Sequence, residues 1–286
     1  MRFVVTSLLK ASFVVICGIG GAAFALEPGQ SPPTRLYSIG DSLTRGVNAN
    51  LPGDNLNNSW VNGYQGFWER LLGVPNVNSH NQRITASFGS SGRRNWIAAQ
   101  NGARVDDMAE QAAPVGLLGV NYATVMLGGN DVCRNSVADL PTDAEFEMNV
   151  RNGMTTLLNG LSNGATLLVV AIPNVKALYD LGLTKTALGI TSCPRLWSLT
   201  GSCEAMLSSS NTDLDRQYVQ SRNIGYNAIL QRVTGEMASS YPGKFVRFSA
   251  AGYQLPTAQE QISDLDCFHA SWRGQRTLSE LTWPGF

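Results

Sequence analysis

The residues of this chain that could perform chemistry lie near its two ends. A Gly-Asp-Ser-Leu tetrapeptide at residues 40–43 places Ser42 directly after an apolar run at residues 36–39. A serine hydroxyl is a poor nucleophile unless an adjacent base takes its proton. Of the two histidines, His269 follows Asp266 by three residues, so the imidazole could take that proton while the carboxylate holds its tautomer. The pattern predicts a catalytic triad of Ser42, His269 and Asp266.

Attack on a carbonyl carbon leaves an oxyanion, which must be held by hydrogen-bond donors already in place. Three candidates occur: the backbone N–H of Ser42, the backbone N–H of Gly102 and the side-chain amide of Asn130. Glycine at position 102 lets the main chain approach a ligand closely. We predict that these three groups form an oxyanion hole.

Each motif also has an ordinary structural interpretation. Gly-Asp-Ser is common in turns, and Asn130 and Asp131 after two glycines favour a turn as well. His269 alone could be a hydrogen-bonded structural histidine. We assign a structural role to His80, which lies in the polar segment 76–82. The catalytic prediction depends on the motifs occurring together.

Continuous apolar runs, rather than alternating ones, predict buried parallel strands. Such runs occupy residues 36–39, 96–99, 123–127, 166–172 and 245–248. Three of them end in glycine-containing turns that carry the candidate residues, and ligands bind at the carboxyl ends of the strands in parallel sheets.

Helical spacing of apolar residues predicts helices between the strands, with Asp143 as a candidate cap. They span residues 66–72, 144–161 and 213–237, the last with an inner face of Tyr218, Ile224, Ile229, Leu230 and Val233. Strands that alternate with helices indicate βαβ units. We therefore predict an α/β fold, a three-layer α/β/α sandwich with a mainly parallel central sheet.

The first 25 residues have the pattern of a secretory signal peptide: basic residues, an apolar run at 11–19 and an A-x-A site ending at Ala25. We expect cleavage after Ala25, a secreted or periplasmic product, and a single domain over residues 26–286. A membrane anchor is the alternative, but the apolar run is too short to span a bilayer. A lipoprotein anchor at Cys17 is disfavoured by the bulky Ile16 before it.

Charge and cysteine content exclude several classes of protein. Cleavage removes Arg2 and Lys10 and no acidic residue, so 19 basic and 21 acidic side chains remain, a net charge of −2. This balance argues against a nucleic-acid or anionic-membrane footprint. Four cysteines remain, and an even number in an exported chain favours two disulfides with three possible connectivities. Their spacing contains no C-x-x-C pair, which argues against zinc.

Taken together, the motifs resemble those of the SGNH, or GDSL, hydrolase superfamily of serine esterases and lipases. The blocks are Gly-Asp-Ser-Leu at 40–43, an oxyanion glycine in 99–103, Gly-x-Asn-Asp at 128–131 and Asp-x-x-His at 266–269. A narrower resemblance, to phospholipase B-like GDSL lipases, includes Cys133 after the third block, Cys267 within the last and a Cys-Pro-Arg segment at 193–195.

The resemblance implies a flavodoxin-like fold and hydrolysis of a small-molecule or lipid ester through an acyl-enzyme, in the manner of a phospholipase A or lysophospholipase. It implies no metal or organic cofactor, no nucleic-acid partner and no integral membrane span after signal cleavage. We further expect Cys193 to pair with Cys203, which closes a local loop in the irregular segment 186–211. Cys133 would then pair with Cys267 across the site.

Other functions compatible with this scaffold are a carbohydrate esterase, an acyltransferase and an exported binding protein. The aromatic residues Trp60, Tyr64, Trp96 and Trp197 could stack on sugars, although core packing is their more ordinary use. An acyltransferase would replace water by an alcohol acceptor. The complete set of catalytic motifs argues against a binding protein.

Overall fold

The centre of the molecule is a parallel sheet of five strands. A computed structural model describes residues 26–285, so the predicted signal peptide lies outside the described residues. The strands are β1 (Arg35–Gly40), β2 (Arg94–Ile97), β3 (Tyr122–Met126), β4 (Thr166–Val170) and β7 (Phe245–Ser249). They are arranged in the order β2-β1-β3-β4-β7, and every neighbouring pair is parallel. All five strands predicted from apolar runs are confirmed, with ends that differ by a few residues.

A short antiparallel hairpin, eleven α-helices and five short 3₁₀-helices complete the regular structure of the described residues. The hairpin consists of β5 (Thr186–Ala187) and β6 (Thr191–Ser192). The helices are α1 (Phe67–Leu71), α2 (His80–Phe88), α3 (Met108–Ala112), α4 (Val115–Leu118), α5 (Gly129–Val132), α6 (Asp143–Gly160), α7 (Val175–Gly182), α8 (Cys193–Thr200), α9 (Glu204–Leu207), α10 (Asp213–Ser240) and α11 (Trp272–Thr282). No helix within residues 26–285 has the length and hydropathy needed to cross a bilayer.

Helices cover both faces of the sheet, because successive side chains of a strand point to opposite sides. In β3, Ala123 and Val125 join the larger apolar cluster, which contains residues of α3, α6 and α10. Tyr122 and Met126 join the second cluster, which contains residues of α2 and α11. The two clusters on opposite faces confirm the predicted three-layer α/β/α sandwich.

Two details of the predicted helices differ from the structure. Thr142 rather than Asp143 caps α6: its Oγ1 accepts a hydrogen bond from the Glu145 N–H at 3.2 Å, and the Glu145 carboxylate accepts one from the Thr142 N–H at 2.8 Å. On α10, Tyr218 and Ile224 are about half exposed. The buried face of that helix consists instead of Val219, Asn223, Tyr226, Ile229, Leu230, Val233 and Met237. Because Asn223 is polar, the spacing of apolar residues alone does not reveal this face.

The segment 186–211, predicted to be irregular, contains the hairpin, α8 and α9. Both of its cysteines are buried, and so are the three residues 205–207 that follow the second one. These buried side chains anchor the segment in the larger apolar cluster, while others, such as Leu188, Ile190 and Leu199, remain exposed. By contrast, α1 exposes the side chains of Phe67, Trp68 and Leu71, so its apolar spacing does not mark a core face.

Candidate active site

The structure brings Ser42, His269 and Asp266 into one hydrogen-bonded chain. Ser42 lies two residues beyond the carboxyl end of β1, and its Oγ is 2.8 Å from His269 Nε2. His269 Nδ1 is 2.6 Å from Asp266 Oδ2. The partners Ser42 and His269 are 227 residues apart in the chain. An imidazole held between a hydroxyl and a carboxylate can take the hydroxyl proton.

A tight turn after β1 presents Ser42. The Asp41 carbonyl accepts a hydrogen bond from the Arg45 N–H at 3.2 Å, and Asp41 Oδ1 accepts one from the Leu43 N–H at 2.9 Å. A side chain at Gly40 would collide with the buried Thr44, so this close turn requires glycine. Burial raises the pKa of Asp41 to about 6, against the opposing effects of the Leu43 N–H and the nearby His269.

The Asp266 carboxylate organises its own loop. Asp266 Oδ1 accepts hydrogen bonds from the backbone N–H groups of Phe268 at 2.9 Å and His269 at 3.0 Å. Burial alone would raise the pKa of this carboxyl group. The hydrogen bond and charge of His269, with further donors, hold the pKa below its ordinary value instead. The group is therefore kept ionised beside the imidazole.

One of these further donors, Asn48, was not singled out from the sequence. Its Nδ2 donates to Asp266 Oδ2 at 2.6 Å, the same oxygen that contacts His269. The backbone of Asn48 has a φ of 54°, in the left-handed region that Asn adopts more readily than most residues. Its carbonyl also accepts a hydrogen bond from Ser263 Oγ at 2.6 Å. Asn48 thus joins the segment after the nucleophile to the histidine loop.

The candidate oxyanion donors lie on neighbouring loops. Asn130, in α5, donates one amide hydrogen to the Ala103 carbonyl at 2.9 Å, which leaves its second amide hydrogen available. Gly102 has a φ of 80°, a conformation that favours glycine. Among the described residues, the N–H groups of Ser42 and Gly102 donate to no backbone carbonyl. The N–H groups of Ser42 and Gly102 are therefore unengaged, and the side-chain amide of Asn130 is partly free. These donors follow β1, β2 and β3.

A buried carboxyl group ties these loops together. Asp131 Oδ2 accepts a hydrogen bond from the Val105 N–H at 3.0 Å, so the loop after β3 is fastened to the loop after β2. Burial raises the pKa of Asp131 to about 7. The third motif thus contributes one residue that faces the cleft, Asn130, and one that fixes the neighbouring loop, Asp131.

The disulfides connect different cysteines from those predicted. Cys133 is bonded to Cys203 and Cys193 to Cys267, so the predicted pairs Cys193–Cys203 and Cys133–Cys267 are wrong. The reason is the docking of the segment 186–211 against two separate site loops. The Ala205 N–H donates to the Arg134 carbonyl at 2.8 Å, and Trp197 Nε1 donates to the Cys267 carbonyl at 2.9 Å.

Each disulfide ties the segment 186–211 to one site loop, the first after Asn130 and the second within the Asp266–His269 turn. Within the described residues, no group of three or more His, Cys, Asp or Glu side chains is arranged to hold a metal ion.

The other histidine, His80, contacts residues other than those of the candidate triad. It begins α2 and is fully buried, rather than lying in a polar loop. Its Nδ1 contacts the hydroxyl of Tyr122 at 2.8 Å, and its Nε2 contacts Thr282 Oγ1 at 3.1 Å. Burial lowers the pKa of His80 to about 3, so it stays neutral in the folded protein. These contacts are those of a structural histidine.

A cleft beside Ser42 encloses about 880 Å³, part of it open to solvent. Ser42, Asn130 and His269 line the cleft, and most of the remaining wall is apolar. The nucleophile, the candidate base and one candidate oxyanion donor therefore share one concave surface.

The chain is similar to known proteins over most of its length. A family model described as GDSL-like Lipase/Acylhydrolase matches residues 36–282. The chain is structurally similar to LAE5, an alpha/beta hydrolase enzyme from the metagenome of Lake Arreo (15% identity, TM-score 0.49, 88% of this chain and 94% of that chain covered). Comparable similarity links it to an extracellular lipase from Streptomyces rimosus (17%, 0.43, 87% and 100%) and to the lipase Lip_vut3 from a goat rumen metagenome (14%, 0.47, 86% and 94%). No curated protein matches the chain at a significant level.

Proposed function

The chain belongs to the GDSL-like lipase/acylhydrolase family and is a serine ester hydrolase; on this premise, we propose that Ser42, His269 and Asp266 are its catalytic triad. We further propose that it is exported and acts on lipid esters in the manner of a phospholipase A or lysophospholipase. The observation that carries the proposal is the 2.8 Å contact between Ser42 Oγ and His269 Nε2 across 227 residues of chain.

In the first half of the proposed reaction, Ser42 Oγ attacks the ester carbonyl carbon while His269 Nε2 accepts the hydroxyl proton. Asp266 holds the imidazole through Nδ1 and stabilises the positive charge that forms on it. The backbone N–H groups of Ser42 and Gly102 and the free amide hydrogen of Asn130 bind the oxyanion. The tetrahedral intermediate then collapses as the imidazolium gives its proton to the leaving alcohol oxygen.

In the second half, water replaces the alcohol. His269 takes a proton from the water, whose oxygen attacks the acyl-enzyme carbonyl, and the same donors hold the second oxyanion. Return of the proton to Ser42 Oγ releases the carboxylic acid. This cycle uses only side-chain and backbone groups, so it requires neither a metal nor an organic cofactor.

Two observations support a lipid rather than a carbohydrate substrate. The wall of the cleft is mostly apolar. Of the four aromatic residues that could have stacked on sugars, Trp60 and Trp197 are buried in the core, Tyr64 is about half exposed, and none of the four lines the cleft. A sugar-binding face would need aromatic rings and hydrogen-bond donors exposed beside the nucleophile.

The proposal of export combines the N-terminal pattern with the disulfides. Two disulfides are typical of proteins that fold in an oxidising compartment. We expect the exported protein to begin at Leu26. Mass spectrometry of protein recovered from the periplasm or medium would test this, and an intact Met1 on that material would contradict signal cleavage.

The triad is tested by labelling with a fluorophosphonate probe and by hydrolysis of a panel of soluble esters. We expect Ser42→Ala and His269→Gln to lose both labelling and turnover. His80→Gln is the matched control, because it removes the other histidine of the chain, and it should keep both wherever the protein stays folded. Labelling that persists in Ser42→Ala would refute the assignment of the nucleophile.

A further inference from the structure

The turn that carries Ser42 is held on both sides by buried glutamine side chains. Before Ser42, Gln111 Oε1 accepts a hydrogen bond from the Gly40 N–H at 2.9 Å, and Gln111 Nε2 donates one to the Gly40 carbonyl at 3.0 Å. After Ser42, Gln275 Nε2 donates to the Leu43 carbonyl at 2.8 Å. Gln111 is 3% exposed and Gln275 is 0% exposed. We call this pair of side chains the glutamine clamp.

The two members of the glutamine clamp come from opposite faces of the sheet. Gln111 lies in α3, which contributes to the larger apolar cluster, and Gln275 lies in α11, which contributes to the second. Gln275 Oε1 also accepts a hydrogen bond from the Trp60 N–H at 2.9 Å. Each amide therefore has a donor and an acceptor paired with the main chain. A flip of either amide would place its oxygen against a carbonyl oxygen, so each glutamine fixes the backbone groups that it contacts.

Gln275 also connects the nucleophile to the histidine loop. The cap of α11, Ser271, lies two residues after His269, and the Gln275 N–H donates to the Ser271 carbonyl at 2.8 Å. The first turn of α11 therefore follows the base directly and holds Leu43, the residue after Ser42, through the Gln275 amide. Because misplacement of a reacting atom by about 1 Å can cost about 10²-fold in rate, this connection bears on the reaction.

The bond from Gln275 has the shortest path to the nucleophile. Among the described residues, the other hydrogen bonds from the segment after β1 to the C-terminal loops begin at Asn48 and Ala49, apart from the contact of Ser42 with His269 itself. The Gln275 amide instead contacts the residue next to Ser42. A shift of α11 is therefore passed to the Ser42 hydroxyl most directly through this amide.

We propose that Gln275 is a positioning residue that aligns Ser42 with His269, and that Gln111 holds the same turn from the opposite face of the sheet. The proposal rests on the proposed function, because alignment matters only if these two residues react together. Neither glutamine lines the cleft. Loss of the Gln275 amide should therefore lower kcat and leave KM nearly unchanged.

The first test replaces the amide by a thioether of nearly the same size. In Gln275→Met, kcat for a soluble ester should fall roughly 10- to 100-fold, while KM stays within about twofold of the wild-type value. The rate constant for labelling by a fluorophosphonate should fall by the same factor as kcat. Gln111→Met should also lower kcat, and a wild-type kcat in that variant would remove Gln111 from the proposal. A wild-type kcat in folded Gln275→Met would overturn the alignment role.

Gln30→Met is the matched control for the loss of a buried amide. Gln30 is buried, and it accepts a hydrogen bond from the Glu27 N–H at 2.9 Å and donates one to Thr166 Oγ1 at 2.8 Å. Thr166 is the first residue of β4, so these bonds lie at the edge of the sheet opposite the candidate site. Gln30→Met should keep the wild-type kcat. An equal fall of kcat in Gln30→Met and Gln275→Met would show a general effect of lost buried hydrogen bonds and would refute the proposal.

Removal of the base distinguishes alignment from support of the fold. The residual hydrolysis by His269→Gln does not depend on the distance between Ser42 and an imidazole. Adding Gln275→Met to His269→Gln should therefore lower the residual kcat by less than about twofold, because the effects of groups that act as a unit are strongly non-additive. A further fall as large as the one caused by Gln275→Met alone would refute alignment.

Failure of this proposal is distinct from failure of the proposed function. Undiminished turnover in His269→Gln would refute the triad, whatever the effect of Gln275→Met. An undiminished kcat in Gln275→Met, together with loss of turnover in His269→Gln, would refute the alignment role alone. Circular dichroism of each variant confirms that the compared proteins are folded.

Discussion

Removal of the Asn48 side chain tests whether the segment after the nucleophile controls the acid of the triad. The informative variant is Asn48→Gly. Asn48 has a φ of 54°, so glycine keeps the backbone unstrained, whereas alanine would add strain of its own. The substitution removes the 2.6 Å hydrogen bond to Asp266 Oδ2 and leaves the contact of that oxygen with His269 in place.

The expected magnitude follows from the remaining donors. A hydrogen bond to a charged group contributes about 1.5–3 kcal/mol. Asp266 keeps the N–H groups of Phe268 and His269 and the imidazole itself, so part of this loss is compensated. We expect about 1–2 kcal/mol to appear in the barrier, which lowers kcat/KM roughly 5- to 30-fold.

The companion variant Asn48→Asp keeps nearly the same side-chain shape but adds a negative charge, which Asn48→Gly does not. A second carboxylate beside Asp266 raises the pKa of Asp266, because like charges disfavour ionisation. Asp266 then becomes protonated at a higher pH, and activity that needs its carboxylate is lost earlier on acidification. We expect a larger fall in kcat/KM than in Asn48→Gly, and an acid limb of the pH–rate profile displaced to higher pH.

The assay is kcat/KM for a soluble short-chain ester across pH, with circular dichroism as a check on folding. Asn78→Gly is the matched control, because Asn78 also has a positive φ, of 50°, but caps no catalytic carboxylate. That control should behave as wild type. A wild-type rate and pH profile in Asn48→Gly would show that the 2.6 Å contact does not serve catalysis.

Three further outcomes are expected. Asn130→Ala should lower kcat about 10²–10³-fold with little change in KM. The control Asn101→Ala, which removes an exposed amide from the neighbouring loop, should leave kcat unchanged. Equal kcat values for Asn130→Ala and wild type would contradict the oxyanion role. Non-reducing peptide mapping should link Cys193 to Cys267, and replacing both by alanine should lower the free energy of unfolding by roughly 4 kcal/mol; recovery of a different linkage would disprove this pairing. Because burial depresses the pKa of His80 from 6.5 to about 3, the unfolded chain takes up a proton that the folded one refuses. Relative to His80→Gln, wild type should lose roughly 1.4 kcal/mol of unfolding free energy per pH unit between pH 6.5 and about pH 3, and parallel stability curves would refute this.

Features encoded in short stretches of sequence were predictable. The apolar runs of β1, β3 and β4 are continuous because both faces of these strands are covered. The glycine-containing turns after β1, β2 and β3 carry the candidate chemistry. The proximity of Ser42 and His269 followed from that arrangement and from the motif resemblance. Local pattern therefore carried the fold and most of the residues that line the reacting end of the cleft.

Features that depend on how loops dock were not predictable. Nothing near Cys193 in the sequence indicates that α8 packs on the histidine loop, so the sequence favours the nearer Cys203 as its partner. Asn48 lies in an unremarkable polar segment, and its contact with Asp266 exists because two loops 218 residues apart in the chain meet at one carboxylate. Such contacts are set by tertiary packing, which produces no periodic pattern in the sequence.

The long chain separation between Ser42 and His269 also governs when activity first arises during synthesis. A nascent polypeptide that has emerged only as far as α10 carries the nucleophile without its base, and the bond from Cys193 to Cys267 cannot yet form. With the proposed roles, hydrolytic competence appears only once the last loop has been delivered and oxidised. Under the proposed export and lipid substrate, the chain in transit would be inert, and the lipids of the membrane that it crosses would meet no active hydrolase.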